Sequence, residues 1–235
     1  MKRAAIAAGL LLLSGAALAA QRRAVVVENE PAGQGAGSAA GDWWEPVSAA
    51  WQDLQTEVQT MGDTLNTITD RDTAQRNVSA FLEAIARAEG TAQRADPYRV
   101  CYGYRHTIIS LKEHPAVSGE WKGERLSDDM CRAAGFGPGC VSTAAGKYQL
   151  IRPTWQALKT RLQLPDFGPA SQDRAAIQLL KDSGALGAIE KGQFSFAVAA
   201  ARKTWASLPG AGYAQPERSL SFLQTAYLNA GGTLA

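Results

Sequence analysis

The stretch FLEAIARAEGT, residues 81–91, puts a carboxylate where an amphipathic helix would carry an apolar side chain. Leu82, Ile85 and Glu89 fall on one helical stripe, at spacings of three and four. Glu83 differs: it precedes Arg87 by four residues, the favourable order for a solvated ion pair. Burial of Glu89 would disfavour its ionised form and raise its pKa, and the negative end of the helix dipole pushes the same way. A carboxylic acid kept protonated near neutral pH can protonate the leaving oxygen of a glycosidic bond. A glutamate before glycine is also an ordinary helix terminus, so alone this stretch leaves both readings open.

Two further stretches have suitable chemistry. In STAAGKYQL, residues 142–150, Gly146 permits close backbone approach, while Tyr148 and Gln149 offer an aromatic face and an amide. Those are the parts of a carbohydrate groove, and equally of a tight turn into a helix. In WASLPGAGYAQP, residues 205–216, an aromatic helix end and a Pro/Gly turn precede Tyr213 and Gln215. By itself that stretch reads as a loop.

Helices must position these segments. Val47, Trp51, Leu54, Val58, Met61, Leu65 and Ile68 recur at alternating steps of four and three, a heptad seam over residues 42–77. This is either a stem that spaces or pairs copies of the chain, or a helix whose seam folds back onto its own domain. The second is favoured, because so short a seam containing Gly62 makes a marginal coiled coil. DRDTAQRN, residues 70–77, offers caps before a separate helix over 78–88. Residues 91–141 read as loops with a small hairpin. Helical patterning returns at 152–163, 170–186, 188–206 and 217–229, with Ile177, Leu179 and Leu180 supplying core. The expected class is mainly α (α+β), with one loop-rich lobe.

The net charge of +2 conceals an asymmetry: residues 78–235 carry a balance of +5 and residues 42–77 a balance of −5. A basic main body suits a polyanionic partner or an acidic bacterial wall. It has no dense Arg/Lys cluster with interleaved aromatics, which argues against nucleic acid. Cys131 and Cys140 bracket a Gly/Pro loop whose ends can meet in a disulfide, leaving Cys101 over; three buried free thiols are the alternative. The cysteine spacing matches no metal site and the only histidines are His106 and His114, so no metal or cofactor is expected.

Six blocks in order, FLEAIARAEGT, STAAGKYQL, LPDFGPASQDRAA, SGALGAIEKGQF, WASLPGAGYAQP and AGGT, make residues 78–235 resemble the bacteriophage lambda endolysin family. The resemblance implies a lysozyme-like fold and a lytic transglycosylase that cuts peptidoglycan between N-acetylmuramic acid and N-acetylglucosamine without water. It implies that Glu89 is the catalytic acid and that Gly146, Tyr148 and Gln149, with Tyr213, line the glycan. The family shows a second acid soon after the first; here PYRV places Arg99 at that point, as a wall-binding cation, with Asp96 offset. The segment between Pro115 and Ser142 is longer than in the compact phage enzyme. A hydrolytic muramidase using Asp96 or Asp128, or an inactive wall-binding module, are the competing readings.

The N-terminal twenty residues have two cations and then 17 uncharged positions, Ala4 to Ala20, with Ala17-Leu18-Ala19 near the end as a cleavage site. That is the layout of a secretory signal. Arg22 and Arg23 immediately after it, and its weak apolarity, also resemble a signal-arrest-release anchor holding the chain in the inner membrane. Residues 21–41 read as a flexible linker. Either N-terminal reading places residues 78–235 in the periplasm or beyond, with peptidoglycan as partner.

Overall fold

The computed structural model describes residues 44–235. The expected signal or anchor (1–20) and linker (21–41) lie outside the described residues, and no described helix is long and apolar enough to cross a membrane. Contacts divide the chain after Gln52, with Asp53–Ala235 forming one compact unit. The elements in chain order are α1 (Trp44–Ala88), α2 (Pro115–Ser118), β1 (Glu124–Arg125), α3 (Asp128–Ala133), β2 (Val141–Ser142), α4 (Arg152–Leu162), α5 (Pro169–Asp182), α6 (Leu186–Glu190), α7 (Phe194–Ala201) and α8 (Leu220–Asn229).

The largest departure from the sequence reading is α1. From Trp44 on, the expected stem and the expected helix over 78–88 are one unbroken helix. DRDTAQRN does not cap a new start, because no proline or glycine lies between Gly62 and Gly90 to end the old one. The heptad seam does not fold back, either. Trp51, Leu54, Val58, Met61, Leu65 and Ile68 are each 49–64% exposed. Only from Asn77 does α1 enter the folded body. There the Asn77 side-chain oxygen accepts from the Thr233 backbone N–H (2.8 Å) and hydroxyl (3.1 Å), tying the helix to the C-terminal AGGT block.

From that point most side chains of α1 are buried. Phe81, Leu82 and Ile85 reach into a core completed by Trp155 and Leu158 of α4, Leu180 of α5, Ile189 of α6, Phe194 and Val198 of α7, and Leu223 and Tyr227 of α8. Phe81, Phe194 and Tyr227 form an aromatic cluster, with centroids 4.9 to 6.4 Å apart. Gly184 and Gly192, both at positive φ, divide the expected long helices into α5, α6 and α7. Ser219 caps α8 through the Phe222 N–H. The loop-rich lobe contains the hairpin, two antiparallel two-residue strands pairing Glu124 with Ser142 and Arg125 with Val141.

Candidate functional site

Glu89 follows directly on the last residue of α1, its N–H still bonded to the Ile85 carbonyl (2.9 Å). Gly90 then turns the chain at φ +71°. The site needs glycine there for a second reason: a Cβ would sit 2.7 Å from the Tyr104 hydroxyl, which donates to the Glu89 carbonyl (2.7 Å). Thr91 is buried, with its hydroxyl 2.6 Å from the Lys147 carbonyl. The EGT tripeptide is therefore an acid, a turn that admits a phenol, and a tie to the 142–150 segment.

The Glu89 side chain is half-buried, and its Oε1 accepts a hydrogen bond from the Ser207 hydroxyl (2.6 Å). Burial raises its pKa from 4.5 to about 7, against the opposing pull of the Ser207 bond and the Arg218 charge. The Arg218 backbone N–H in turn donates to the Ser207 carbonyl (2.8 Å). Neither Ser207 nor Arg218 was singled out from sequence. Ser207 stands inside the WASLPG stretch, but serine in a Pro/Gly loop gives no sign of what its hydroxyl faces.

The residues of the 142–150 segment build a turn more than they present side chains. Gly146 has φ +79°, and a Cβ there would lie 2.2 Å from Oε1 of Gln172, the acceptor of the Lys147 N–H. Gln149, at φ +50°, donates its amide back to the Gly146 carbonyl (2.9 Å) and also lies 3.3 Å from that of Val100. The expected aromatic face of Tyr148 is not available. Its ring is 1% exposed, its hydroxyl donates to Asp173 (2.7 Å), and burial pushes that phenol far up. Its carbonyl accepts from the Trp205 indole N–H (3.0 Å), and the residue lies in the lining of a groove with Trp205 and Gln149.

Arg99 is likewise less free than expected of a wall-binding cation. Its guanidinium pairs with Asp96 (3.1 Å) and donates to the carbonyls of Ile108 and Ile109, both at 2.8 Å. It staples a loop beside Tyr104. Asp96 is engaged by Arg99 and by the Tyr98 N–H (3.1 Å), and Asp128 lies within reach of the Gly139 N–H (3.3 Å). Tyr213 does reach open space: its hydroxyl donates to the Lys203 carbonyl (2.9 Å), and it borders a groove of about 470 Å³ with Gln149, Trp205 and Gln215. Glu217 holds that loop, accepting the N–H groups of Gly210 (2.7 Å) and Gly212 (2.9 Å).

Cys131 and Cys140 are bonded, with Cα atoms 5.8 Å apart. Cys101 is a buried free thiol whose pKa burial pushes up to about 12, so thiolate attack on that disulfide is suppressed.

A helical body with a small hairpin lobe, and a half-buried glutamic acid where a core helix ends, define a lysozyme-like enzyme. The Endolysin family model matches residues 79–234. The chain is 39% identical over 160 residues to the endolysin of Escherichia phage P2, covering 68% of this chain and 96% of that one. It is 37% identical over 155 residues to the endolysin of Escherichia phage lambda, covering 66% of this chain and 91% of that one. The solved structure of bacteriophage lambda lysozyme complexed with a chitohexasaccharide superimposes with a TM-score of 0.57 at 33% identity, over 68% of this chain and 97% of that one. The chain belongs to the endolysin family and is a peptidoglycan-degrading enzyme.

Proposed function

We propose that the chain is an exported lytic transglycosylase with Glu89 as its single acid and base. Protonated Glu89 gives its proton to the bridging oxygen between N-acetylmuramic acid and N-acetylglucosamine as that bond breaks. The resulting carboxylate takes the proton of the muramyl C6 hydroxyl, and that oxygen closes onto C1. The product carries a 1,6-anhydromuramyl end, Glu89 is protonated again, and no water is consumed.

The observation that carries this reading is the Glu89 carboxyl where α1 ends, held by the Ser207 hydroxyl (2.6 Å) and pushed up to about 7 by burial. A group so poised is populated both as acid and as base at neutral pH, as both steps require. The state of the other candidate carboxylates supports it. Asp96 is engaged by Arg99 and the Tyr98 N–H, and Asp128 accepts the Gly139 N–H (3.3 Å). A double-carboxylate hydrolase needs its second acid free on the far side of the bond. The lambda lysozyme complex contains a chitohexasaccharide, and a glycan strand is the corresponding ligand proposed here. Export fits the Cys131–Cys140 bond, since disulfides persist in oxidising compartments.

Mass analysis of fragments released from purified peptidoglycan tests the proposal, with Glu89→Gln beside the wild type. Fragments one water lighter than hydrolysis products, absent with the variant, are expected. Full-weight reducing fragments would overturn transglycosylation in favour of hydrolysis.

A further inference from the structure

The segment between Pro115 and Ser142 contributes Ala134 and Phe136 to the lining of the groove described above. After α3 the chain turns at Gly135 (φ +79°), and the Phe136 N–H bonds to the Cys131 carbonyl (2.8 Å). Five residues after Cys131, Phe136 is therefore held from both sides: by that bond and by the disulfide closing at Cys140. Its ring borders the groove and is 64% exposed, beside Ile151, also largely exposed. Tyr213, Gln149, Gln215 and Lys203 also line the groove.

An aromatic ring left in water on a cross-linked loop contributes little to the core. Its surroundings point to a ligand that offers both apolar faces and hydroxyls, because aromatic rings here alternate with amides and an ammonium. A sugar has that character. The groove's lining includes Trp205 and Ala206, and the residue that follows them in the chain, Ser207, holds the Glu89 carboxyl.

We infer that Phe136 is a substrate-binding residue, an aromatic platform on which a sugar ring of the glycan strand stacks, held in place by the Cys131–Cys140 loop. This rests on the glycan-cleaving reading above. The platform acts in binding and not on the reacting atoms.

The test is the steady-state kinetics of the full chain on solubilised glycan strands, comparing wild type, Phe136→Ala and Phe136→Trp. Because the ring is exposed, Phe136→Ala should keep the wild-type melting temperature. KM should rise roughly fivefold to tenfold, the cost of losing one stacked ring, with kcat within about twofold, and Phe136→Trp should restore KM. An unchanged KM in Phe136→Ala, with wild-type cleavage intact, overturns the inference and leaves the enzymatic reading standing. A wild type that releases no fragments defeats that reading instead. Chitohexaose binding by calorimetry then decides the groove: weaker binding by Phe136→Ala sustains the platform, whereas equal affinity, or no binding by the wild type, overturns it.

Discussion

Replacing Glu89 by glutamine should make the protein more stable at alkaline pH, even as it removes the acid. The carboxyl titrates at about 7 in the fold against an ordinary 4.5. Between those values the folded state holds a proton that the unfolded chain has released. Stability contributed by the neutral form is fully present below about pH 4.5 and is lost as pH rises through 7. At ~1.36 kcal/mol per pH unit, the rise amounts to roughly 3 kcal/mol of penalty for ionised Glu89 above pH 8. A glutamine side chain in its place does not ionise and still offers Ser207 an acceptor, so the penalty disappears. For a folded unit of this size that corresponds to about 6–12 °C in melting temperature. Thermal unfolding of wild type and Glu89→Gln should coincide near pH 4.5 and separate progressively to pH 8.5, with the variant higher. A difference that stays flat across that range would refute the argument that burial holds the carboxyl neutral.

Ser207→Ala removes a hydrogen bond that lowers the Glu89 pKa, so the alkaline limb of the pH–rate profile should move to higher pH; a limb that moved down would mean the serine donates mainly to the neutral acid. Gly146→Ala combines φ +79° with a Cβ only 2.2 Å from the Gln172 amide, so it should destabilise the fold by about 2–4 kcal/mol in urea unfolding.

The core end of α1 and the acid that follows it were legible because both obey one rule: apolar positions repeat every three or four residues, and Glu89 breaks the repeat at a buried place. The stem's fate was not legible. A heptad seam states that a helix has an apolar face but not what covers it, and the fold-back that short length favoured required a break that no residue between Gly62 and Gly90 supplies. The burial of Tyr148 was not legible for a related reason. Residue type shows that a ring can stack, whereas the Asp173 carboxylate that draws this one inward lies 25 positions along the chain. Ser207 and Arg218 are distant in the same way: each meets the acid's turn across more than a hundred residues.

The unbroken course of α1 makes residue count into angle. Each residue in a helix advances the chain by about 1.5 Å and turns it by about 100°. With no hinge between Asp53 and Glu89, the direction in which the acid faces is geared to whatever holds the stem. Deleting one residue from the exposed stretch would swing the catalytic body through more than a quarter of a turn, while deleting seven would return it to within about 20° of its original bearing. Length changes in this segment are therefore not interchangeable: those in whole heptads shift the height of the catalytic body and nearly preserve its aim.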